Sequence, residues 1–286
     1  MTSRTEYNNP HNKGELGLPY HYEMVSDLAR VTPFKQAIQK ASKGKVILES
    51  GTGTSILSLI AANAGAKEVF CIELDPVIAK FAQKNIDKSG FKNIHLIQKN
   101  TLEVTAEDMN GLKADVLIAE NLSTWEVTEP QLQVMNHMVE NLSIKNPICI
   151  PSIIENKIEL CQTQYIFEDV IELRTSFFEF TGITKPKIIS EIKTYSTINM
   201  NQVNQTSFKE TVTFTAKESG CVNSIRLTSP LCVYDEFTFN SSDSLMPPVI
   251  LPLPEDIEVQ QGQKVTIAIE YTTNSDWDNF KVEIIN

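Results

Sequence analysis

The 286-residue chain carries 25 basic and 36 acidic residues for a net charge of −11, with 41% hydrophobic and 21% charged residues. Its length predicts two domains at ~150 residues each, and its composition is that of a folded globular protein rather than a low-complexity one. The negative charge would repel a phosphate backbone, so nucleic acid is not expected as a partner. No apolar run reaches the ~18 residues of a membrane helix, and the polar first thirty residues hold no signal-peptide core, so a cytoplasmic location and no membrane partner are expected.

Residues 1–150 are predicted to form one domain and 151–286 a second. The first part holds eight of the eleven glycines, all four histidines and a near balance of 15 basic and 17 acidic residues. The second holds 10 and 19, net −9. From residue 46 the first part alternates short apolar runs with helical stretches: Val46–Leu48, Ile56–Ala64, Val69–Ile72, Pro76–Lys88, Ile94–Ile97, Ala114–Ala119 and Ile148–Ile150. That alternation is the βαβ pattern of a parallel, Rossmann-like α/β sheet. Asp75-Pro76 reads as a helix cap and Lys88-Ser89-Gly90 as a helix end. After Pro151 the texture changes to β-rich runs, Lys157–Leu160, Glu210–Thr215, Val233–Phe239 and Val265–Tyr271, which predicts an antiparallel β-barrel-like domain. Asn199–Ser207 and the proline-bearing segment around Pro247–Pro254 are expected to be its long connections. Five scattered cysteines lack the spacing of a metal site, so buried thiols and no metal are expected.

The segment Val46-Ile47-Leu48-Glu49-Ser50-Gly51-Thr52-Gly53-Thr54-Ser55 reads as strand, tight turn and helix start. Gly51 and Gly53 let backbone approach a ligand, and the helix start offers free N–H groups. A dinucleotide loop would want a third glycine where this chain has Ser55. Glu73, ending the next strand, can accept two ribose hydroxyls, and Glu49 can face a ligand amino group. These residues alone do not choose between nicotinamide dinucleotides and S-adenosylmethionine.

The run from Val46 through Glu73, with Ala61-Ala62-Asn63-Ala64-Gly65-Ala66, resembles the S-adenosylmethionine site of class I methyltransferases, the protein arginine methyltransferase family in particular. His21-Tyr22-Glu23-Met24-Val25-Ser26-Asp27-Leu28-Ala29-Arg30 is similar to the family's segment ahead of the glycine loop. The resemblance implies that S-adenosyl-L-methionine is the cofactor, with Arg30 on its methionyl carboxylate, Met24 against its sulfur and Glu103 in the region that contacts adenine. Read without it, Met24 and Leu28 make the apolar face of a helix and Arg30 is solvated. Tyr7 and Tyr20 resemble aromatics that close over the cofactor.

The fourth strand ends in Ala119-Glu120, and Glu120 with Glu129 reproduces the nine-residue offset of the family's two catalytic glutamates. Paired carboxylates suit a planar cationic guanidinium; Glu126 competes for the second role. Between the glutamates the family's Trp-Met-Gly-Tyr-like run is replaced by Asn121-Leu122-Ser123-Thr124-Trp125. Its Thr-His-Trp loop corresponds to Ser244-Leu245-Met246-Pro247-Pro248, without histidine, and no helical dimerisation arm is recognisable. The resemblance therefore implies an N-methyltransferase acting on the guanidino or amino group of a cationic small molecule or peptide. A protein-directed arginine methyltransferase and a non-catalytic binding module are the alternatives, and a homo-oligomer remains open.

Overall fold

The computed structural model describes residues 17–285; Tyr7 lies outside them. Two helices, α1 (Leu18–Ser26) and α2 (Leu28–Ala41), precede a five-stranded sheet. Its strands are β1 (Val46–Ser50), β2 (Glu68–Ile72), β3 (Ile94–Ile97), β4 (Ala114–Ala119) and β5 (Ser143–Ile150). They run parallel in the order β3-β2-β1-β4-β5. All five residues of β1 are buried, as expected of a central parallel strand covered on both faces. Helix α3 (Ile56–Asn63) connects β1 to β2 and α4 (Pro76–Ser89) connects β2 to β3. The Asp75 carboxylate accepts the Val77 N–H at 2.7 Å, and Gly90 closes α4 at φ +79°, the cap and stop read from the sequence. The strand order reverses between β1 and β4, and that switch point is where open α/β sheets hold their ligands. Helix α5 (Gln131–His137) follows the β4 loop.

After β5 the chain enters an antiparallel, barrel-like β domain. Its eight-stranded sheet is built on β6 (Ile153–Gln162), flanked by Gly220–Thr228, Leu231–Tyr234 and Lys193–Asn199. A three-stranded sheet joins Ser207–Thr215, Lys264–Thr272 and Lys281–Ile285. Two expectations need correcting here. Val233–Phe239 is not one strand but the hairpin Leu231–Tyr234 and Phe237–Phe239, with Asp235 at φ +53° in its turn. The proline-bearing segment is not a connection either, because Val249–Val259 is an eleven-residue strand. Its ladder to Gly220–Thr228 jumps from Ser224↔Pro252 to Val222↔Ile257, so Pro254 falls in the bulge, where no ladder hydrogen bond is required of it.

The two sheets are joined through the loop after β4. Trp125 is completely buried, its indole N–H reaching the carbonyls of Lys157 (3.1 Å) and Thr228 (3.2 Å). Its ring stacks on Tyr195 with centroids 4.7 Å apart and packs against Tyr271 and Phe280. Trp125 therefore pins the loop to the β domain.

Candidate active site

Every group of the site hangs from the carboxyl ends of β1, β2 and β4, with α1 and α2 lying across them. The turn after β1 has Gly51 at φ +66° and Gly53 at φ +55°. A side chain at Gly51 would overlap the Asn121 amide, and one at Gly53 would come within 3.0 Å of His21 Nδ1. Only glycine fits either place. Ser55 also adopts a left-handed φ of +72°, so the turn imposes at the third-glycine position a conformation that costs a serine roughly 1–2 kcal/mol.

Two carboxylates support this turn. Glu73 accepts the Gly53 N–H on Oε2 and the Asp75 N–H on Oε1, both at 2.9 Å; burial raises its pKa despite these bonds. Glu49 does not face open space. It is buried, its Oε2 taking the hydroxyls of Thr52 (2.8 Å) and Ser58, and burial pushes it up to about 7. Its place is beneath the turn, joining the loop to the first turn of α3. Glu103 is exposed on a short turn after β3; the neighbouring Thr101 hydroxyl meets Ser50 Oγ at 2.8 Å, which ties this turn to the end of β1.

Arg30 is buried in α2, while Leu28 is 71% exposed. The amphipathic reading of this segment is thus reversed. The Arg30 guanidinium forms an ion pair with Glu120 through Nη2, turns Nη1 toward Met24 Sδ, and leaves Nε buried without a partner. Glu129 belongs to the same electrostatic cluster. Burial, reinforced by the Glu120 charge and opposed by Arg30, pushes its carboxyl up to about 7. Glu120 is also raised, by burial first, with Arg30 opposing. Tyr20 of α1 feels Arg30, Glu129 and Glu120, and burial lifts its phenol to about 12.

Glu126 is separate from this cluster. Its carboxyl is fully buried toward the β domain, where Asn156 Nδ2 donates to Oε2 at 2.8 Å, Oε1 has no partner, and burial pushes it up to about 8. Of the two, Glu129 and not Glu126 feels the charges of Glu120 and Arg30. The eight residues between Glu120 and Glu129 include Trp125, which anchors the loop, and Glu126, which is turned inward.

Other residues escaped the sequence reading. Gln131 accepts the Asn121 N–H (2.9 Å) and donates to the Ala119 carbonyl (2.9 Å), clamping the end of β4. Asp27 caps α2 and accepts the Leu245 N–H at 3.0 Å, while Thr124 donates to the Pro247 carbonyl at 3.0 Å. These bonds bring the segment Ser244–Pro248 to the rim of the site. The only signal for them lay in proximity in sequence: Asn121 follows Glu120, and Gln131 lies two residues beyond Glu129. Among the described residues no cluster of His, Cys, Asp and Glu could hold a metal ion, and no helix is long and apolar enough to cross a membrane.

Comparison with known proteins gives three kinds of match. Residues 34–174 match the family described as ribosomal protein L11 methyltransferase (PrmA). The chain is 30% identical over 268 residues to uncharacterized protein MJ1452 of Methanocaldococcus jannaschii, covering 93% of this chain and 96% of that one. It is 29% identical over 136 residues to the arginine N(omega)-methyltransferase of Streptomyces achromogenes subsp. streptozoticus, covering 46% of this chain but only 37% of that enzyme. A Trypanosoma brucei PRMT1 enzyme-prozyme complex with AdoHcy shares the fold, with a TM-score of 0.75 at 20% identity, over 87% of this chain and 86% of that one.

Proposed function

Since the chain belongs to the family of MJ1452, within the protein arginine methyltransferase-like group of class I S-adenosylmethionine-dependent methyltransferases, we propose that it methylates the nitrogen of a guanidino or amino group. The observation that carries this reading is the convergence of Arg30, Glu120 and Glu129 beside the Gly51–Gly53 turn.

The cradle fits S-adenosylmethionine on its own terms. Arg30 retains an unpartnered buried Nε for the methionyl carboxylate, and Glu73, already a buried acceptor, can take ribose hydroxyls. Met24 lies next to Arg30, where the cofactor's sulfur end would sit. Glu49 contributes by holding the turn rather than by contact. Bound S-adenosylmethionine supplies a methyl group on cationic sulfur, whose S–C bond breaks as the N–C bond forms, the sulfur leaving as a neutral thioether.

The chain's own groups orient the acceptor and manage its proton. Glu120, ionised against Arg30, presents an acceptor oxygen. Glu129, poised near pH 7, receives the proton that the nitrogen sheds on methylation. With Glu120 balanced by Arg30 and Glu126 turned away, the ionised cluster carries a single net negative charge and suits one cationic group. Holding the nitrogen in line with the methyl group supplies most of the remaining acceleration. The absence of histidine after His137 and of a helical arm favours a small guanidine or amine, or a peptide, over a folded protein.

A labelled methyl-transfer screen across free arginine, other guanidines, amines, arginine-rich peptides and whole proteins, with mass spectrometry of products, tests the reading. Transfer to nitrogen on a small cationic acceptor is expected. Best transfer to a carboxylate or phenol would refute the carboxylate clamp, and S-adenosylhomocysteine binding without transfer to any acceptor would favour a binding module.

A further inference from the structure

Asn121 occupies the point between the two halves of the site. Ser50 pairs with Ala119 across β1 and β4, so Gly51 and Asn121 leave neighbouring strand ends at the switch point. The side-chain amide lies against the glycine turn with its Nδ2 nearest to where a Cβ on Gly51 would stand, Cγ at 3.3 Å and Oδ1 at 3.4 Å. Gln131 fixes the backbone beneath it from both sides. Yet Asn121 Oδ1 is buried without a hydrogen-bond partner, and a buried acceptor left unpaired is destabilising. Both polar ends of the Gln131 side chain are engaged at the same place. The unsatisfied oxygen belongs to the residue that lies between the glycine turn and Glu120.

Resting on the methyltransferase reading above, we infer that Asn121 Oδ1 accepts an N–H from the acceptor nitrogen and makes the site selective for nitrogens that carry a spare hydrogen. The amide is neutral, so it can hold an N–H without adding to the negative charge of Glu120 and Glu129. Asn121 follows Glu120 in sequence, and its side chain lies against the turn that positions the cofactor. An acceptor nitrogen that gives one hydrogen to Asn121 and loses one to Glu129 must begin with at least two, as a primary amine or a guanidine NH2 does. Each methylation removes a hydrogen, so the contact also disfavours a second transfer to the same nitrogen.

The test uses the full chain as wild type, Asn121→Leu and Asn121→Asp, with S-adenosylhomocysteine, L-arginine and 1,4-diaminobutane as probes. By calorimetry Asn121→Leu is expected to bind S-adenosylhomocysteine within about threefold of wild type. Its affinity for the better-binding acceptor probe, measured in that complex, should fall by about tenfold, one hydrogen bond's worth. Asn121→Asp, which keeps an acceptor oxygen, should restore binding to within about threefold. In 15N-labelled wild type the Asn121 amide pair, assigned by its loss in the leucine variant, should shift when the acceptor probe is added to the complex and not before. Equal losses of S-adenosylhomocysteine and acceptor binding in Asn121→Leu would place the amide on the cofactor instead and overturn the inference. Failure of Asn121→Asp to rescue would show that the amide nitrogen, not the oxygen, faces the site, which also overturns it. A wild-type complex that binds neither acceptor probe refutes it too, while failure to bind S-adenosylhomocysteine at all refutes the methyltransferase reading beneath it.

Discussion

Glu73→Gln separates a carboxylate kept for a ligand from one kept for the fold. The substitution preserves volume and one acceptor oxygen, so only one of the two 2.9 Å bonds from Gly53 and Asp75 is lost, at about 1 kcal/mol. Against this, burial raises the Glu73 pKa, which means that its charge is held at a cost in the folded chain, and the neutral amide removes that cost. The two effects oppose each other, so the ligand-free protein should keep its stability within about 1 kcal/mol, a change of roughly 2–4 °C in Tm. Cofactor binding has no such offset. Ribose hydroxyls lose a charged acceptor worth about 1.5–3 kcal/mol, which is roughly ten- to a hundredfold in Kd. Calorimetry with S-adenosylhomocysteine and thermal melting of the same samples read the two quantities separately. Unchanged affinity would show that ribose does not reach Glu73, and a large loss of Tm would show that the carboxylate serves the turn alone; either result defeats the argument.

The other expectations probe the same architecture from different sides. Glu120→Gln should leave S-adenosylhomocysteine affinity within a few-fold, because Arg30 is freed rather than removed, while turnover on the identified acceptor largely disappears; near-normal turnover would remove Glu120 from the chemistry. Trp125→Ala deletes a fully buried ring and its two carbonyl contacts, and should cost about 3–5 kcal/mol, on the order of 10 °C in Tm; a loss below about 1 kcal/mol would show that the domain junction does not depend on it. Glu49, Glu126 and Glu129 are raised to about 7, 8 and 7. Groups whose folded pKa exceeds the unfolded value stabilise below the unfolded pKa and lose that contribution as pH rises. Stability should therefore fall between about pH 4.5 and 8, and Glu126→Gln, which keeps an oxygen for Asn156, should flatten the upper part of that fall in melts across pH. Acceptor kcat/KM should rise through about pH 7 as Glu129 ionises, and Glu129→Gln should abolish that limb.

Local pattern was enough to place the elements of the parallel sheet. The strands at Ile94–Ile97 and Ala114–Ala119 have the bounds expected of them, because their short, mainly apolar runs and the caps at Asp75 and Gly90 act within a few residues. The glycine turn was legible through its positive φ angles, a local demand, although the side chains that crowd Gly51 and Gly53, Asn121 and His21, come from elsewhere in the chain. Pro254 of Val249–Val259 misled for the converse reason. Proline bars a ladder bond only where one is needed, and Pro254 lies in the bulge between the Pro252 and Ile257 pairs.

The grouping of the carboxylates was beyond local reading. The offset of nine between Glu120 and Glu129 was visible in the chain, but Glu126 sits in the same loop with the same chemistry. What divides them is Trp125, whose ring is taken up by Tyr195, Tyr271 and Phe280, residues 70 or more positions away; that packing rotates Glu126 into the β domain and Glu129 toward Arg30. Arg30 itself follows a polar, weakly amphipathic helix whose pattern argued for exposure, and it is buried because Glu120, 90 residues on, neutralises it. Sequence determines which residues can make a strand, a cap or a tight turn, since those depend on the backbone of a few neighbours. Which charges meet, and which are left without partners, depends on distances across the fold, and only the tertiary structure sets those.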